Sequence, residues 1–96
     1  MSTIEGQIRI ELKAVTKDQN VRGKMIELLQ DPAWEQHSST SLLLRLLRGE
    51  TVSSEDIKAD QINARALLQQ IRSQAESTLG RWMMHDDLKT AHHSRH

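Results

Sequence analysis

The histidines are the side chains in this sequence best suited to hold a metal ion. His85, Asp86, Asp87, His92, His93 and His96 crowd the C-terminal end. Imidazole together with carboxylate suits zinc or nickel. Yet His85 and His92 are seven residues apart, and no HExxH or similar fixed spacing appears. A terminal tail also holds ligands poorly. No specific metal site is expected, only a polar tail able to pick up metal loosely. The chain contains no cysteine, which removes disulfides, thiolate nucleophiles and Cys-based zinc sites together.

Serine chemistry fares little better. A serine nucleophile needs a histidine base and an acid that orients it. Ser38, Ser39, Thr40 and Ser41, like Ser53 and Ser54, sit where a helix would use them as caps. The four glycines, Gly6, Gly23, Gly49 and Gly80, stand alone, so there is no nucleophile elbow, phosphate loop or dinucleotide fingerprint. The paired acids Glu55-Asp56 and Asp86-Asp87 are adjacent, and neighbours on a helix point in different directions. Neither an enzyme nor a cofactor is expected.

A leucine-rich segment, a turn at Gly49 and a helix from Glu55 have the size of a helix-turn-helix. Its recognition helix, however, would open on Glu55-Asp56, which phosphate repels, with Lys58, Asp60, Gln61 and Asn63 behind. Arg65, Arg72 and Arg81 lie further along. Duplex DNA binding by a dimeric regulator is thus the alternative reading and not the leading one.

The leading reading is contact with another protein, or with a second copy of this chain. Trp34 follows a proline turn, and Trp82-Met83-Met84 closes the longest apolar pattern. Tryptophan and methionine are enriched in interface cores. Trp34, Leu68, Ile71, Leu79, Trp82 and Met83 are the candidate partner-binding residues. The expected role is that of an adaptor, inhibitor or assembly factor, of the accessory kind that a phage or other mobile element carries.

The elements that would position these residues are helices. Ile4, Ile8, Leu12 and Val15 share a helical face, with Ser2 and Glu5 at capping-box spacing. The same stretch also alternates like a strand at Ile8, Ile10, Leu12 and Ala14. Residues 2–15 fit both, and helix is preferred because a lone strand has no backbone partner. Thr16 and Gln19 suggest a second capping box before Val21, Met25, Leu28 and Leu29, ending near Gln30. Asp31-Pro32 reads as a cap followed by proline at the first helical position. Leu42 to Arg48 reads as a leucine-covered helix closed by Gly49. From Ser54 an unbroken helix of about 45 Å to Met84 is expected. Ile57, Ala64, Leu68, Ile71, Ala75, Leu79 and Trp82 would form its narrow apolar seam.

Together these define an all-α fold: a bundle of three to four helices with one long C-terminal helix. Residues 1–88 would form a single domain and 89–96 a flexible polar tail. Ninety-six residues suffice for one core. Hydrophobic residues make up 36% of the chain, without Phe or Tyr, and the mean hydropathy is −0.61. Thirteen basic residues balance thirteen acidic ones, so bulk charge selects no partner. No apolar run would span a bilayer and no signal-peptide layout appears, so a cytoplasmic protein without membrane contact is expected. Nothing points to a small-molecule substrate.

Overall fold

The computed structural model of the chain describes the backbone of residues 3–94 and the side chains of residues 3–80. Within it the spacing of Ile4, Ile8, Leu12 and Val15 becomes the inward face of α1 (Ile4–Thr16), with Ile8 fully buried. The strand alternative fails on Ile10, which alternation would bury and which is 66% exposed. Thr3 caps α1, its Oγ1 accepting from the Gly6 amide at 2.9 Å. Ser2 lies outside the described residues, and Glu5 turns instead to tertiary partners.

Helix α2 (Gln19–Leu29) is capped by Asp18, whose Oδ1 accepts from the amides of Asn20 and Val21 at 3.1 and 3.2 Å. Thr16 is therefore no cap. It is the last residue of α1, and its hydroxyl donates to the Lys13 carbonyl. A carboxylate suits a helix start better than a hydroxyl, because it adds charge of the favoured sign. The helix ends at Gln30 as its pattern predicts. Asp31 then caps a 3₁₀ turn (Pro32–Trp34) through the Ala33 amide at 2.9 Å.

Helix α3 (Thr40–Leu47) closes on Gly49 at φ 85°. The Gly49 amide bonds Leu46 O at 3.1 Å and the Glu50 amide bonds Arg45 O at 3.0 Å. This is the paired Schellman arrangement, and it needs the left-handed backbone that glycine adopts freely. From the neighbouring helix, Arg22 Nε donates to the Leu47 carbonyl at 2.5 Å, placing a cation on the negative end of α3.

The unbroken helix expected from Ser54 is instead two helices, α4 (Ser54–Ala59) and α5 (Gln61–Ser94). The described chain thus has five α-helices and no strand, which makes the fold all-α. Asp60 separates the two, at φ −136° and ψ 29°, well outside helical values. At this point the Asp60 carboxylate is bonded outward to the start of α3, while its carbonyl accepts the Ala64 amide at 2.8 Å at the start of α5. Helix α5 packs chiefly on α2 and α1 and also touches α3, while α4 lies on α1. Ile8, Leu12, Val15, Met25, Leu29, Leu43, Leu47, Val52 and Ile57 meet Ala64, Leu67, Leu68, Ile71 and Ala75 of α5 in one core. None of the helices among the described residues is long and apolar enough to cross a membrane.

Candidate functional site: the surfaces left by the bundle

The apolar seam of the C-terminal half has company within the chain. Ile57, Ala64, Leu68, Ile71 and Ala75 are all fully buried. Leu68 and Ile71 therefore move from the candidate binding surface to the interior. The reason is register: the residues that make α5 amphipathic are those that face α1 and α2. Leu79, next along the seam, is half-buried. Trp82 and Met83 lie outside the described side chains, on a backbone that continues as helix to Ser94.

Trp34 occupies the 3₁₀ turn, half-buried and packed against the core. Its carbonyl accepts from the Thr40 hydroxyl at 2.7 Å, and its ring lies 6.2 Å from that of His37. The same turn forms one wall of an open groove of about 480 Å³, with α3 as the other wall. Leu29, Pro32 and Leu44 give the groove an apolar lining, and Arg45, Arg48 and Glu35 supply charge. Leu42, Leu44 and Leu46 of α3 are only partly buried, whereas Leu43 and Leu47 fill the core. The structure thus keeps Trp34 near a surface and leaves apolar area on α3, which the sequence reading had not separated from the core.

The serines before α3 do something other than capping. The Ser39 hydroxyl donates to Asp60 Oδ2 at 2.5 Å and the Ser38 hydroxyl to the same oxygen at 2.8 Å. Asn63 Nδ2 donates to Oδ1 at 2.9 Å. Ser39 is fully buried. The Ser39 bond is foremost in holding the Asp60 carboxyl below its ordinary value, against partial burial and with help from Asn63, Ser38 and nearby His37. His37 Nδ1 accepts the Ser39 amide at 3.3 Å, so its lone pair is turned to backbone and not to a hydroxyl. A serine whose proton lies on a carboxylate, with no imidazole accepting it, is arranged as a tie between segments and not as a nucleophile.

A second tie fastens the start of α4. Glu5, almost buried, accepts a bond from the Ser54 hydroxyl and pairs with Arg9 Nε at 3.0 Å. Lys58 Nζ stands 3.9 Å from its other oxygen. The Ser54 bond first, then Arg9, lowers the Glu5 carboxyl below its usual value. Neither tie was visible in the sequence, where partners 49 and 21 residues apart leave no local signal.

The helix pair weighed for DNA consists of α3 and a six-residue α4. Glu55 and Asp56 occupy the first turn of α4, and Lys58 is drawn to Glu5. The C-terminal histidines lie outside the described side chains. Among the described residues no cluster of three or more His, Asp or Glu is placed to hold a metal. Comparison with known proteins adds no relative: no family model, curated protein or solved structure matches this chain.

Proposed function

We infer that this chain is a non-enzymatic protein–protein interaction module, an adaptor, inhibitor or assembly factor. It is read as a short cytoplasmic bundle from which one long C-terminal helix reaches a partner protein or a second copy. The observation that supports this is the length of α5 set against the core it serves. Its last fully buried position among the described side chains is Ala75, yet the helix continues for about 19 residues, or 28 Å. Leu79, Trp82 and Met83 follow the core seam at helical spacing along that extension. Trp34 and the groove beside α3 offer a second contact. Affinity would come from apolar burial at roughly 25 cal/mol per Å², less the cost of association.

The test compares the parent chain with a Trp82→Asp/Met83→Asp variant by sedimentation velocity and by pull-down quantified against the parent's own partners. An interface anchor carries about 2 kcal/mol, so association should weaken by roughly thirtyfold while the fold persists. A folded variant with the parent's mass and the parent's partners sinks the reading. Salt-sensitive retention of the same variant on duplex DNA would favour the regulator instead.

A further inference from the structure

At the junction of α4 and α5 the sequence pattern and the fold pull apart. Lys58, Ala59, Asp60, Gln61 and Ile62 contain no glycine or proline, and Ile57 keeps helical register with Ala64, Leu68 and Ile71 across the junction. Local preference favours a helix running straight through. At the break, bonds from outside the helix converge on Asp60. Asp60 Oδ2 takes both serine hydroxyls from the start of α3, and Asn63 steadies Oδ1. Ser39 is fully buried, so its hydroxyl has no water to turn to if the carboxylate leaves. At its other end α4 is fastened to α1 by the Glu5–Ser54 bond, with Ile57 buried between the two ties. A six-residue helix has little stability of its own and depends on such fastenings.

We propose that the Ser38–Ser39–Asp60 knot is a latch governing the position of α4. While the knot holds, the chain is broken at Asp60 and α4 lies on α1. When it is lost, the chain from Ser54 runs into α5 as one helix. Helix α4 then leaves α1, withdraws Ile57 from the core and uncovers the Glu5–Arg9 end of α1. The device is independent of any partner bound by the distal part of α5.

Spin labels at Glu55 and Gln74, both exposed, report the junction through their separation in pulsed electron resonance. A single straight helix places these backbones about 28 Å apart, and a chain bent at Asp60 brings them closer. The parent should give the shorter distance. Asp60→Ala, and separately the Ser38→Ala/Ser39→Ala pair, should lengthen it toward 28 Å with helical circular dichroism kept or raised. A folded Asp60→Ala chain with the parent's distance overturns the latch. So does loss of helical signal in Asp60→Ala alongside an unchanged distance in a folded Ser38→Ala/Ser39→Ala chain, because the knot would then be a passive part of the core.

Discussion

A carboxylate that accepts bonds from hydroxyls or a guanidinium supports a fold more strongly while it is ionised. Glu5 and Asp60 both have folded-state values below their ordinary 4.5 and 3.8. With the folded value depressed, the unfolded chain binds protons more readily, so acid favours unfolding. The contribution of each group is complete above its ordinary value and is lost as the pH falls through the lowered one. The thermal midpoint should therefore drop between about pH 5 and pH 3. In Glu5→Gln that acid limb should be shallower, since one of the two titrating ties is gone. Circular-dichroism melts of both chains across this range check it, and parallel acid limbs would remove Glu5 from the account. These ties also mark where the sequence was silent at this scale. Ser38, Ser39 and Ser54 read as helix caps because a cap is a local event, whereas their actual acceptors are brought near only by folding.

Elements were legible wherever their boundaries are set locally. Asp31-Pro32 and Gly49 mark their turns by what proline and glycine can and cannot do with the backbone. The core face of α1 follows from Ile4, Ile8, Leu12 and Val15 alone. Less legible were the caps at Thr3 and Asp18, where several polar residues compete within one turn, and the break at Asp60, where local preference points the other way. Two glycines separate these influences in a single experiment. Gly23 sits exposed inside α2, with open space where a Cβ would be. Gly23→Ala should stabilise the protein by about 0.5–1 kcal/mol. Gly49 also has open space, but at φ +85° an L side chain is strained. Gly49→Ala should cost about 1 kcal/mol or more. For a domain of this size each kcal/mol moves the thermal midpoint by roughly 4–8 °C, so the two variants should shift in opposite directions. Shifts of the same sign would mean that one of the two helix assignments is wrong.

At the scale of the whole molecule, the radius of gyration is 16.1 Å, against roughly 12–13 Å for a compact domain of this length. The longest dimension, 59 Å, is close to what the 34 residues of α5 span on their own at about 51 Å. Among the described side chains of α5, the buried face reaches Ala75 and is enclosed by α1, α2 and α3. The seam from Ile57 to Ala75 is the buried face, but its spacing left open what covers it, because spacing records which residues share a face and not which neighbour lies against it. Substitutions along α5 separate its buried face from its exposed one. Leu68→Asp or Ile71→Asp places a charge at a fully buried site, where it must either remain unpaired or expel its element from the core. Either change should abolish cooperative unfolding at neutral pH, since about 3–5 kcal/mol is a large share of a small domain's stability. Glu76→Lys, on the exposed side of the same helix, loses only a surface pair with Arg72 at 3.1 Å and should change stability by less than about 1 kcal/mol. Heat or urea melts of the three variants decide the matter. A cooperative transition in Leu68→Asp would show that the proximal seam is not enclosed by the chain's own helices, and the assignment of Ile57, Ala64, Leu68, Ile71 and Ala75 to one core would fall with it.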